Sequence, residues 1–225
     1  MIMGDLDSQD ENLREAATEL NIPIASIDSR KAPEHPYPAA PEDCYAGVCW
    51  VFEHASELGM DTGNIGLMGA SAGGGLALAT ALMLRDRLGP SLKYLLPIYP
   101  MIDDRHETAS SHEVVDIGIW DRAGSIEAWG WYLGDSEPDA YAAPARAEDL
   151  SGLPPTYIDV GDLDLFRDED IDIAQRLSAA GVPVEFHLWT GAFHASELFA
   201  PDAPLSQRIW ATRYTAIRRL AGLPV

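Results

Sequence analysis

The chain has 225 residues, enough to bury one substantial core, and 47% of them are hydrophobic, an ordinary share for a globular protein. A formal net charge of −21, with thirteen arginines and two lysines against 36 acidic residues, repels phosphate backbones and anionic bilayers and argues against nucleic-acid or membrane binding. No apolar run is long enough to cross a bilayer, the N-terminus lacks a basic-then-apolar leader, and Cys44 and Cys49 have neither metal nor disulfide spacing, so a single soluble, cytoplasmic domain without metal or cofactor is expected.

Residues 10–20 place Leu13, Ala16, Ala17 and Leu20 on one face and predict an amphipathic helix, ended by Asn21. Residues 22–27 are a short apolar run and predict a strand. The prolines at 33, 36 and 38 preclude regular structure, and a helix follows over residues 41–58, with Pro41-Glu42-Asp43 suited to its first turn. An apolar run at 64–68 predicts a strand, and residues 74–88 predict an Ala- and Leu-rich helix stopped by Gly89-Pro90.

Another apolar run, 92–99, predicts a strand despite Pro97, which removes a ladder donor. A helix is expected over residues 125–133, and the aromatics Trp120, Trp129, Trp131 and Tyr132 read as core and interface packing. Strands are expected at 156–160 and 182–189, separated by a helix at 168–180, with a last helix at 205–220. Strands alternating with helices predict an α/β fold, a mostly parallel sheet flanked by helices on both faces.

Between the strand at 64–68 and the helix at 74–88 stands Gly69-Ala70-Ser71-Ala72-Gly73. Plain glycine-rich turns also match Gly-x-Ser-x-Gly. The strand before it and the helix after it supply the context of a nucleophile elbow, whose sharp turn needs small flanking residues. In parallel α/β sheets, functional groups collect in the loops that leave the carboxyl ends of the strands. Three such loops carry Ser71, then Asp162 and Asp164, then His194, the chain order Ser, Asp, His.

A serine hydroxyl needs an imidazole to take its proton, and the imidazole needs a carboxylate to fix its tautomer. Of six histidines, only His194 follows a late strand in a loop. Asp168, Glu169 and Asp170 read as first-turn carboxylates of a helix. Spacing alone leaves Asp162 and Asp164 as equal candidates for the acid.

These residues resemble the hormone-sensitive-lipase family of esterases, the bacterial type IV, α/β-hydrolase fold-3 group. The resemblance rests on Gly4-Asp5-Leu6-Asp7-Ser8, the Ala32-Pro33-Glu34-His35-Pro36-Tyr37-Pro38-Ala39-Ala40 loop, the Gly69–Gly74 elbow, the loop 161–169 and Gly191-Ala192-Phe193-His194. It implies Asp164 as the acid beside Ser71 and His194, the Ala72 N–H as an oxyanion donor, and hydrolysis of short-chain acyl esters without a cofactor. The sequence departs from the pattern at Ala70, where Asp or Glu is usual, at Ser29 and Lys31, and at Ala195, where Gly is common.

The family's His-Gly-Gly-Gly segment would precede Gly4, so a fold shortened at its N-terminus and short of oxyanion donors is expected, with weak turnover. An open site and a sheet edge near 182–189 predict self-association as a homo-oligomer, a dimer. The alternative is a ligand-binding protein on the same fold; intact Ser71, Asp164 and His194 argue against it, the missing glycine segment for it.

Overall fold

In the computed structural model, which describes residues 1–116 and 118–224 without the side chains of Ser8 and Gln9, one sheet organises the chain. Its strands β1 (Gly66–Ala70), β2 (Tyr94–Ile98), β3 (Thr156–Gly161) and β4 (Val184–Trp189) pair in that order, all parallel. Helix α1 spans Leu6–Leu20, α2 Ala39–Glu53, α3 Ala72–Asp86, α4 Ala109–Glu113, α5 Arg122–Leu133, α6 Arg167–Ala179, α7 Ser196–Phe199 and α8 Pro204–Ala221. The Gly4–Ser8 motif therefore opens α1, with the side chain of Ser8 outside the described residues.

Strands β2 and β3 are buried along their whole length, as befits parallel strands covered on both faces. Leu95 and Ile158 pack with Leu78, Leu82, Ile173 and Leu177 of α3 and α6. Leu96, Ile98 and Tyr157 pack on the opposite side with Leu20 of α1 and with Ala216 and Ile217 of α8. Each fully buried leucine or isoleucine contributes about 1.5–3 kcal/mol relative to exposure.

Pro97 lies in the middle of the sheet, and its missing donor falls on a single bond. The N–H groups of Leu95 and Tyr99 reach β3 through the carbonyls of Pro155 and Asp159, at 3.0 and 2.7 Å. The position between them is Pro97, and the β2–β3 ladder is interrupted there, resuming in the same register at Ile98 opposite Asp159. The cost is one ladder bond, flanked by two good ones.

The expected strand at 22–27 is absent: the segment runs as irregular chain. A strand requires a neighbour to satisfy its backbone groups, and β1 pairs only with β2, leaving no described strand beside the segment. Ile27 instead packs against Gly47 of α2, where an added Cβ would come within 2.8 Å of its side chain. Helix α1 begins four residues before the expected start, α2 ends at Glu53 rather than 58, and α5 begins at Arg122, where Asp121 caps it by accepting from the Gly124 N–H at 2.8 Å.

The short helices α4 and α7 carry too few residues for a periodic pattern to reveal. Of the aromatics expected in the core, Trp129 and Tyr132 are buried while Trp131 is exposed. Cys44 and Cys49 are free thiols on α2.

Candidate active site

Ser71 occupies the turn from β1 into α3 with φ 54° and ψ −120°, a conformation disfavoured for a residue with a Cβ. Neighbouring chain holds it there: its N–H donates to the Ile98 carbonyl at 2.9 Å, and its carbonyl accepts from Met101 N–H at 3.0 Å. The end of β2 thus grips both sides of the serine. Ala72 is the first residue of α3, so its N–H has no acceptor within the helix.

The two glycines of the motif have different tasks. A Cβ on Gly69 would lie 2.1 Å from the Gly73 carbonyl oxygen, a backbone atom that cannot yield, whereas a Cβ on Gly73 meets nothing within 4 Å. Gly69→Ala is therefore expected to destabilise the fold by about 1–3 kcal/mol through forced backbone shifts. Gly73→Ala is expected to be tolerated or stabilising by up to about 1 kcal/mol. Thermal unfolding of the two variants checks this.

His194 follows β4 and is 8% exposed; Asp164 follows β3 and is 1% exposed. His194 Nδ1–H donates to Asp164 Oδ2 at 2.8 Å, which leaves Nε2 of the neutral ring to accept from the Ser71 hydroxyl at 2.9 Å. Asp164 Oδ1 accepts from Phe166 N–H at 3.0 Å, so the carboxylate is fixed at both oxygens. Asp162, the competing acid, turns elsewhere: its Oδ1 accepts from Gly191 N–H at 2.7 Å and staples the loop after β3 to the loop that bears the histidine. Gly161 allows this approach, since a Cβ there would lie 2.1 Å from the Ala192 carbonyl oxygen.

Two rings enclose the imidazole edge-on, Tyr99 with centroids 4.9 Å apart and Phe166 at 5.1 Å. Neither stood out in the sequence, although Tyr99 closes the apolar run at 92–99 and so sits at a strand's carboxyl end. Ala195, the first residue past the histidine, has φ 58°, which explains why glycine suits that position.

Asp168, Glu169 and Asp170 stand in the first turn of α6, as expected. Asp168 is tied to Arg167 and to the Ser110 N–H, whereas Glu169 and Asp170 are buried. Glu169 Oε1 accepts from the Ile102 and Asp103 N–H groups, at 2.9 and 3.3 Å, and moors the loop after β2. Both oxygens of Asp170 lack a hydrogen-bond partner among the described residues. Burial, followed by the charges of Glu169 and Asp164, pushes its carboxyl well above the usual range.

The native state therefore keeps the Asp170 proton that the unfolded chain releases above its ordinary value near 4, and stability falls as pH rises from there toward the elevated native value. Asp170→Asn removes this linkage. The variant is expected to gain more in melting temperature at pH 8 than at pH 5, which paired thermal scans check.

A second serine–histidine contact serves packing. His106 Nε2 meets Ser125 Oγ at 3.0 Å, but Ser125 is wholly buried and out of reach of a substrate. Among the described residues, no group of three or more His, Cys, Asp or Glu could hold a metal ion, and no helix is long and apolar enough to cross a membrane.

A parallel sheet with a serine on a strained strand-to-helix turn, an acid after the third strand here and a histidine after the fourth is the architecture of the α/β-hydrolase fold. The family model described as "alpha/beta hydrolase fold" matches residues 1–198, and the chain belongs to that family, in its hormone-sensitive-lipase branch. It is 42% identical over 189 residues to esterase LipI of Mycobacterium tuberculosis, covering 83% of this chain and 59% of LipI. It is 35% identical over 223 residues to carboxylesterase NlhH of the same organism, covering 96% of this chain and 70% of NlhH. A bacterial heroin esterase superposes with a TM-score of 0.95 at 43% identity, over 98% of this chain and 71% of that one. The chain is thus shorter than these relatives and spans under two thirds of LipI.

Proposed function

We propose that the chain is a serine carboxylesterase that hydrolyses short-chain acyl esters. The observation that carries this reading is the continuous hydrogen-bonded line from Ser71 Oγ through His194 to Asp164, closed at both contacts within 2.9 Å. A line already at bonding distance lets proton transfer accompany attack without rearrangement.

Ser71 Oγ attacks the ester carbonyl carbon while His194 Nε2 takes its proton, and Asp164 stabilises the imidazolium through the Nδ1–H bond. The tetrahedral oxyanion is met by the Ala72 N–H. As the carbonyl reforms, the bond to the alcohol oxygen breaks, and His194 returns its proton to that oxygen. A water then attacks the acyl-Ser71 ester with the same assistance, releasing the carboxylic acid and restoring the serine. The sequence balances with water as the only co-substrate.

The esterase names of LipI, NlhH and the heroin esterase support the reaction class for this chain. The oxyanion donor assigned within these residues is the Ala72 N–H, and loss of such a donor costs about a hundred- to a thousandfold in turnover. The test is hydrolysis of p-nitrophenyl esters of increasing acyl length by the chain and by Ser71→Ala. Release above the Ser71→Ala background, greatest for the short acyl groups, is the expected result; equal rates in both proteins would overturn the esterase reading.

A further inference from the structure

The face of the sheet that α8 covers holds a buried charged cluster with no assigned part in the reaction. Arg213 of α8, 2% exposed, donates from Nε and Nη2 to both oxygens of Asp159 on β3, at 2.8 and 2.9 Å. Its Nη1 donates to Glu197 Oε1 of α7 at 2.7 Å. The same Glu197 oxygen accepts the Tyr99 hydroxyl at 2.7 Å. Asp159 also accepts the Tyr157 hydroxyl at 2.8 Å, so every branch of the cluster ends in a satisfied partner.

Two of these groups reach the histidine from different directions. Glu197 lies three residues beyond His194, across the left-handed Ala195, in a helix of only four residues that has little stability of its own. Tyr99 lies after β2 with its ring edge against the imidazole, and its own backbone is strained at φ 32°. Its N–H donates to the Asp159 carbonyl at 2.7 Å. A strained residue and a one-turn helix persist only when their surroundings over-determine them, and here the common element is the Glu197 carboxylate.

We infer that Tyr99, Glu197 and Arg213 form a positioning unit for His194, in which Glu197, anchored to the α8 guanidinium, fixes both the segment that follows the imidazole and the ring that packs against it. They set the direction of Nε2 toward Ser71, whose contact at 2.9 Å tolerates little rotation of the ring. A misplacement near 1 Å costs about a hundredfold in rate.

The inference rests on the esterase reading for its kinetic readout, and a second readout is independent of turnover. Three variants divide the possibilities. Tyr99→Phe keeps the ring and removes the hydroxyl. Glu197→Ala removes the anchor, and Glu197→Gln restores an oxygen that accepts from both Tyr99 and Arg213. With rates normalised to sites titrated by a fluorophosphonate, kcat is expected to fall about tenfold in Tyr99→Phe and about a hundredfold in Glu197→Ala, with KM within about twofold, and to recover most of its value in Glu197→Gln.

The His194 Nδ1–H proton, bonded to Asp164, gives a downfield proton NMR resonance identified by its loss in His194→Ala. It is expected to broaden or shift in Tyr99→Phe and Glu197→Ala and to return in Glu197→Gln, whether or not the protein hydrolyses any ester. Should Glu197→Ala not fold, Tyr99→Phe carries the test. Unchanged kcat per titrated site together with an unmoved resonance in the folded variants would overturn the positioning role. An absent esterase activity with a responsive resonance would overturn only the reaction.

Discussion

Asp164→Asn is expected to lower kcat by about 10⁴-fold while leaving the fold intact. The carboxylate accepts from His194 Nδ1–H at 2.8 Å and from Phe166 N–H at 3.0 Å. An asparagine can keep the second bond with its carbonyl oxygen, which turns its amide N–H toward the imidazole. His194 must then accept at Nδ1 and carry its proton on Nε2, the nitrogen that has to receive the serine's proton. The ring stays in place with the wrong tautomer, and the imidazolium loses its counter-charge.

Asp162→Asn offers the contrast, because the neighbouring acid does a different job. Its oxygen accepts from Gly191 N–H at 2.7 Å, and an amide oxygen can accept the same bond, so the loss is expected to stay within about tenfold. Parallel kcat and KM measurements on the two variants decide the assignment. A greater loss in Asp162→Asn than in Asp164→Asn would reverse it.

The two aspartates also mark where the sequence stops being informative. Both follow the same strand end, and chain order gives each the same rank; only the direction of two side chains in one loop separates them, which three-dimensional backbone geometry determines. The elbow was legible because its requirements are local: an apolar strand, a helix, and small residues where backbone meets backbone, as at Gly69 against the Gly73 carbonyl. His194 was legible from its place after the last strand.

The strand expected at 22–27 failed for the converse reason, since a ladder is a property of two segments and apolar composition describes only one. Buried charge is hidden in helices whose sequence patterns are ordinary. In α6, Glu169 and Asp170 read as residues that suit a helix N-terminus, yet both face the interior. In α8 a signal did exist: Ile209, Arg213, Ala216 and Ile217 fall on one buried stripe, and an arginine in an apolar stripe demands a buried acceptor. Which acceptor it finds, Asp159 from β3 and Glu197 from α7, is settled only by the sheet order.

That arginine carries the largest stability effect expected for a single side chain here. Burial opposes its charge, but the carboxylates of Asp159 and Glu197 outweigh the loss of water and hold the guanidinium well above its ordinary value. Arg213→Met fills much of the volume and removes three hydrogen bonds, leaving two carboxylates buried with the Tyr157 and Tyr99 hydroxyls as their remaining side-chain donors among the described residues. Removing one partner of a buried pair costs about 3–5 kcal/mol, a large part of the usual margin of about 5–15 kcal/mol. At about 2–4 °C per kcal/mol for a chain of this size, the melting temperature should fall by roughly 6–20 °C.

Arg213→Lys should fall between, because an ammonium keeps the charge but cannot span both Asp159 oxygens. The decisive variant combines Arg213→Met with Asp159→Asn and Glu197→Gln. All three charges are then gone, while the amide oxygens still accept from the two tyrosines, so most of the lost stability should return. If the triple variant melts as low as Arg213→Met alone, uncompensated charge is not the cause, and the arginine acts through packing against Tyr99 and Trp210, whose ring centroids lie 5.3 and 5.0 Å from its guanidinium carbon.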